Sequence, residues 1–159
     1  LRFMIKIYTD GSAKGNPGPG GYGVILRFNG QEKELCQGYR LTTNNRMELL
    51  ALIVALEQLK TNMHPVRVHS DSKYVIDAIE KGWVFGWKQK DFKGKKNKDL
   101  WLRYLKLHPK FNISFEWVKG HNGHPENERC DQLAVQCAEN GPHLIDEEFE
   151  RNSESNELF

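Results

Sequence analysis

Residues 22–28 and 32–41 are two β-prone runs that meet at Asn29-Gly30. An Asn-Gly pair between such runs is the strongest short-range signal for a two-residue β-hairpin. A hairpin commits this part of the chain to antiparallel pairing. Residues 3–9 (FMIKIYT) are rich in β-branched and aromatic side chains and read as a strand preceding it. Between them, Gly15-Asn16-Pro17-Gly18-Pro19-Gly20-Gly21 reads as a tight loop.

After the hairpin the pattern changes. Thr42-Thr43-Asn44-Asn45 offers N-caps for a helix over residues 46–60. Pro65 precedes a short strand at 66–70, and Asp71-Ser72 caps a second helix at 73–81. Residues 82–98 are irregular and basic, 99–107 are helical, and 112–118 form a fifth strand. Pro125 fits the first turn of a last helix that stops at Asn140-Gly141-Pro142. In that helix Cys130, Leu133, Ala134, Cys137 and Ala138 form an amphipathic core face. A hairpin followed by β/α crossovers predicts an α/β fold. Its five-stranded mixed sheet, three antiparallel strands and then parallel ones, is flanked by helices on both faces.

The 159 residues suit one domain. The longest apolar run, residues 49–56, has eight residues, against about 20 needed to span a bilayer. No charged-then-apolar leader opens the sequence. Cys36, Cys130 and Cys137 are an odd set without a C-x-x-C pair, which argues against disulfides and against a cysteine zinc site. A soluble, cytoplasmic, monomeric protein is expected. From Asp146 onward there are six acids and one base, leaving a body of 22 bases and 15 acids. The boundaries read as a domain over residues 1–143 and an acidic, disordered tail over 144–159. A basic body points to a polyanionic partner.

Four acids need explaining. Asp10 ends the first strand, where an Asp-Gly pair also makes an ordinary turn. Asp71 follows the fourth strand, where it also makes an ordinary N-cap. Strand-end acids on neighbouring parallel strands share the edge where ligands gather in open α/β sheets. Glu48 is the misfit. Arg46 and Glu57 mark one polar side of their helix, and Glu48 lies on the opposite side with Leu52 and Ala55. A carboxylate on a buried face is costly without a partner. Asp131 borders the apolar stripe of the last helix, where the helix dipole alone would favour an acid. If the four converge, each pair at 4 Å repels by about 4 kcal/mol at an effective dielectric of 20. Such a set persists by taking protons or binding cations. All-oxygen ligands suit Mg²⁺ or Mn²⁺, and two such ions about 3.5–4 Å apart serve in-line displacement at phosphorus.

Lys88, Lys90, Lys93, Lys95, Lys96 and Lys98 are interleaved with Trp83, Phe85, Trp87, Phe92 and Trp101. Charge for phosphates and rings for sugars or bases suit a nucleic-acid backbone. The glycine-rich loop lacks a G-K-[ST] ending, and its prolines remove N–H donors, so it is not a phosphate cradle. The loop Lys119-Gly120-His121-Asn122-Gly123-His124 suits a mobile general acid or base, His121 being the better placed.

Tyr8-Thr9-Asp10-Gly11-Ser12, GNPGPGGYG (15–23), TTNNRMEL (42–49), Ser70-Asp71-Ser72 and WVKGHNGHPENERCDQLA (117–134) together resemble ribonuclease H type 1 in its bacterial single-domain form. The match runs in order over roughly residues 3–140, and the five motifs in that order are highly specific. The resemblance implies a ribonuclease H-like fold and a two-metal endonuclease. Its substrate would be the RNA strand of RNA/DNA hybrids, cut to leave 5′-phosphate and 3′-hydroxyl ends, as in removing RNA primers and R-loops. It implies Asp10, Glu48, Asp71 and Asp131 as metal ligands for Mg²⁺, with Mn²⁺ able to substitute, Glu48 also steering the attacking water. His121 would assist proton transfer or product release. Asn16, Asn44, Asn45 and Ser72 would lie against the hybrid's minor groove. Arg27, Thr43 and Asn97 would grip a DNA-strand phosphate. Trp83 and Trp101 would line the DNA side, and Lys88, Lys90, Lys95 and Lys96 belong to a basic protrusion shorter than in some bacterial members. The rival readings are a module that holds hybrid without cutting and a different nuclease on the same fold, such as a junction resolvase or 3′–5′ exonuclease.

Overall fold

In the computed structural model, which describes residues 3–120 and 123–156, the hairpin forms as expected. Strands β2 (Gly18–Phe28) and β3 (Gln31–Thr42) pair antiparallel from Phe28 opposite Gln31. Asn29 and Gly30 have φ of 49° and 80°, the two positive values that a type I′ turn requires. Strand β1 (Ile5–Ala13) pairs antiparallel with β2. Both strands outrun the sequence expectation. Much of the glycine-rich stretch, read as loop, is the start of β2, with Gly20 and Gly21 opposite Ala13 and Ser12.

Four helices follow from helix α1 (Asn44–Glu57) through α2 (Lys73–Glu80) and α3 (Trp83–Gln89) to α4 (Lys98–Leu107), with β4 (Val66–Ser70) between α1 and α2. Helix α3 lies in the segment expected to be irregular. Its Val84 is buried and its Trp87 partly so, packed with the core. Then come β5 (Ile113–Trp117), α5 (Pro125–Asn140), β6 (His143–Leu144) and α6 (Glu147–Asn156). The sheet order is β5-β4-β1-β2-β3-β6. β4 is parallel to β1 and β5, and β6 is parallel to β3. The α/β architecture holds, with six strands rather than five.

Strand alternation divides the core between the two faces. Ile5 and Ile7 of β1 join the main cluster with α1, whereas Tyr8 meets Ile25 and Cys130 of α5 on the other side. Gly23 lets α5 sit directly on β2, because a side-chain carbon there would overlap the Cys130 carbonyl. Among the described residues no helix is long and apolar enough to cross a membrane.

Two expectations fail. Cys36 of β3 and Cys137 of α5 form a disulfide, with Cα atoms 6.3 Å apart and a sequence separation of 101. Spacing along the chain holds no trace of that pairing. The tail is also not disordered as expected. Residues 143–144 add an edge to β3, and residues 147–156 form α6. An ionic anchor replaces the missing apolar periodicity. Thr42 donates to Asp146 at 2.8 Å, and Arg40 grips Glu150 through Nε and Nη2 at 2.9 and 2.8 Å.

Candidate active site

Parallel pairing of β1 with β4 sets Tyr8 beside His69, so Asp10 and Asp71 leave the sheet at the same edge. Gly11 then admits the third acid. A side-chain carbon at Gly11 would overlap the backbone nitrogen of Glu48, so only glycine lets α1 approach β1 here. The result is a group of three carboxylates, Asp10, Glu48 and Asp71, with ligand oxygens within 4.8 Å of one another. Asp10 and Glu48 are buried and Asp71 is half-buried.

Glu48 is electrostatically frustrated. Its Oε1 accepts from the Gly11 N–H, while its Oε2 is buried with no hydrogen-bond partner among the described residues. Burial, then the neighbouring Asp10 carboxyl, and then Asp71 push its pKa well above the ordinary carboxylate range. This is the misfit read from the helix pattern. An orphaned buried oxygen facing two further carboxylates is a donor set suited to a hard divalent cation.

A pocket of about 280 Å³ opens on the three acids, lined also by Asn44, Asn45, Lys73 and Tyr74. Asn44 accepts from the Ala13 N–H and donates its own N–H to Asn16 Oδ1 at 3.1 Å, tying α1 to the β1–β2 turn. A larger groove of about 850 Å³ shares Asn45 with it and is lined by Asn16, Thr43, Lys95, Lys96 and Asn97 together with residues of α6. Lys88 and Lys90 are exposed nearby in sequence, and Trp83 is 48% exposed with Lys81 over its ring.

Not every expected site residue belongs to that group. Asp131 on α5 lies outside the three-acid group. His121 lies outside the described residues. Arg27 does not share a phosphate site with Thr43. It sits nine residues along β2 from Gly18, the partner of Thr42, or about 30 Å of strand. There it is paired with Glu126 and Glu32 at 2.8 and 3.1 Å. Ser72 lines the three-acid pocket, and its hydroxyl also caps α2 by accepting from Val75 N at 3.2 Å. Trp101 is fully buried, and its indole N–H donates to Tyr74 Oη at 2.9 Å. Sequence reasoning also missed Lys73 and Tyr74. Lys73 is exposed on the pocket with its Nζ 4.2 Å from the centre of the Trp117 ring, while Trp117 donates to the Asp71 carbonyl. Their position just past Asp71, in the first turn of α2, was the available signal.

The RNase H family model matches residues 3–139. A curated ribonuclease H of Desulforamulus reducens is 57% identical over 139 residues, covering 84% of this chain and 87% of the relative. One from a Shewanella species is 51% identical over 157 residues, covering 94% and 97%. Among solved structures, LC9-RNase H1, described as a type 1 RNase H with the type 2 active-site motif, superposes with a TM-score of 0.77. It has 29% identity and covers 94% of this chain and 80% of that one. LC11-RNase H1 in complex with RNA/DNA hybrid gives 0.65, with 29% identity, over 84% and 96%. With its three acids gathered at one sheet edge and its relatives matched over most of its length, this chain belongs to the ribonuclease H family, nucleases that hydrolyse the RNA strand of RNA/DNA hybrids.

Proposed function

We propose that the chain cuts the RNA strand of RNA/DNA hybrids internally, using divalent metal held by Asp10, Glu48 and Asp71, with Asp131 joining from α5. The metal is Mg²⁺, for which Mn²⁺ substitutes. The observation that carries this reading is Glu48, a buried carboxylate grouped with two other acids, one of its oxygens having no hydrogen-bond partner among the described residues. The hybrid-bound relative supports the choice of substrate.

When bound, two such ions would activate water and stabilise charge on the leaving oxygen. The chain's own groups do the rest. Gly11 N–H holds one Glu48 oxygen and leaves the other for ligation or for orienting water. The Asn16–Asn44 pair fixes the amides along the pocket, where polar groups can meet 2′-hydroxyls, the feature that distinguishes RNA from DNA. Lys95 and Lys96, on the adjoining groove with Thr43 and Asn97, suit the other strand's phosphates. His121 assists proton transfer or product release. Cleavage leaves 5′-phosphate and 3′-hydroxyl ends. One chain supplies the whole set, which suits a monomer, and RNA primers or R-loops on DNA place the work in the cytoplasm.

The test is an end-blocked, internally labelled hybrid beside single-stranded RNA, duplex RNA and duplex DNA, with Mg²⁺ or EDTA. Mg²⁺-dependent internal cleavage of the hybrid's RNA alone is expected. Hybrid binding without cleavage in either Mg²⁺ or Mn²⁺ would favour a module that only holds the duplex.

A further inference from the structure

The charge two residues before Glu48 has a different role. Arg46 is 4% exposed, and every one of its five N–H donors is engaged. Nε and Nη2 donate to Asp146 at 2.7 and 2.9 Å, and Nη1 and Nη2 donate to Asp99 at 2.8 and 2.7 Å. The fifth, from Nη1, reaches Asn97 Oδ1 at 3.3 Å. A guanidinium has five donors and no acceptor. This one is saturated within the protein and has none left for a ligand.

Its effect passes to Asn97. That amide accepts from Arg46 through Oδ1 and donates to Tyr74 Oη through Nδ2 at 3.0 Å. Only the oxygen end of an amide can face a guanidinium. The nitrogen end, with a second hydrogen, is therefore fixed on the side away from Arg46, and Asn97 lines the basic groove. Presented this way, the amide donates to an anion. Turned over, it would offer an oxygen and repel one. Asp146 lies 49 residues beyond Asn97, just before α6, and Thr42 braces it at 2.8 Å. Glu148 and Phe149 of α6 line the same groove as Thr43 and Lys96.

We infer that Asp146 is a positioning residue for hybrid binding: through Arg46 it holds the Asn97 amide so that the N–H not given to Tyr74 is free for a backbone phosphate, which makes the C-terminal segment part of the substrate-binding face. This rests on the hybrid-nuclease reading above. Neutralising Asp146 removes one of two carboxylates that pin Arg46 and would set an amide nitrogen against its donors.

The experiment compares wild type, Asp146→Asn, Asn97→Ala and the double variant. It measures Kd for a labelled RNA/DNA hybrid in EDTA, then kcat and KM in Mg²⁺, well below each variant's melting temperature. Asp146→Asn should weaken Kd and raise KM about tenfold, the scale of one missing hydrogen bond to a charged group, with kcat changed much less. The double variant should be no weaker than Asn97→Ala alone, because both changes remove the same interaction. A merely structural Asp146 would lower the melting temperature and leave Kd and KM as in wild type, which overturns the inference. So does an additive double variant. Should Asp146→Asn fail to fold, Arg46→Lys removes the guanidinium donor to Asn97 while keeping the positive charge, and an unchanged KM there overturns the inference equally. Wild-type protein that neither binds nor cuts hybrid sinks the functional reading itself, whereas wild-type cleavage with Asp146→Asn unaffected sinks only this inference.

Discussion

Arg46 and Glu48 stand two residues apart on one helix, and both carry a charge into the interior. Their surroundings are opposite. Arg46 has each donor matched, and despite the cost of burial the Asp99 and Asp146 carboxylates hold its pKa above the ordinary arginine value. Glu48 has one matched oxygen, one without a hydrogen-bond partner among the described residues, and two like-charged neighbours. A buried charge that serves the fold is surrounded by its partners. A buried charge left unsatisfied is held there by the surrounding structure for a partner that arrives later. Helix α1 keeps these environments apart because residues two apart face opposite sides: Glu48 meets β1, while Arg46 meets the start of α4 and the tail.

The sharpest way to break this contrast is at the frustrated site. Asp10→Asn should lower kcat for hybrid cleavage by about 10³-fold or more, several kcal/mol of transition-state stabilisation. Hybrid binding in EDTA should change little by comparison. Wild-type turnover by that variant would remove the carboxylates from the chemistry. At the satisfied site the loss falls on stability. Arg46→Met should cost about 3–5 kcal/mol by leaving two carboxylates facing an uncharged side chain, read by chemical denaturation. A loss near zero would mean that the cluster contributes nothing net.

Glu48→Gln should act in the opposite sense. In chelator at pH 8 it should raise stability by about 1 kcal/mol or more, roughly 2–4 °C in Tm, while abolishing metal-dependent stabilisation. The pH dependence follows from the same raised pKa. Unfolded, Glu48 ionises near its ordinary value of about 4.3, and in the fold it ionises only at higher pH. Its contribution to metal-free stability is therefore fully present below the unfolded value and fades as pH rises through the folded value. Thermal melts of wild type against Glu48→Gln across that window should converge at low pH and separate as pH rises. The smallest effect belongs to the exposed groove. Lys95→Ala or Lys96→Ala should weaken hybrid binding several-fold and flatten the log Kd against log salt slope by about 0.9 for each phosphate no longer neutralised.

The legible parts of the sequence were local. Asn29-Gly30 specified its turn because both residues tolerate positive φ. Thr43 and Ser72 were readable as caps because a cap acts within three residues. Glu48 was readable as a misfit because helical periodicity alone set it among apolar neighbours. The same periodicity misleads at Arg46, which it pairs with Glu57 on a solvent-facing side. Helix α1 is buried nearly all round, and α4 with the tail covers the side that should have met water. The basic surroundings of Trp101 suggest a surface ring, yet it packs between Trp87 and Tyr104.

Most elements, their order, the hairpin, the shared edge of Asp10 and Asp71 and the misfit of Glu48 were open to reading from the residues alone, since each follows from interactions a few residues long or from strand order. It took the folded arrangement to set Arg27 a strand's length from Thr43, to bring Cys36 to Cys137, and to fold an acidic tail onto Arg46. These depend on register and on pairs about 100 residues apart, whose attraction is felt only once the chain between them has folded.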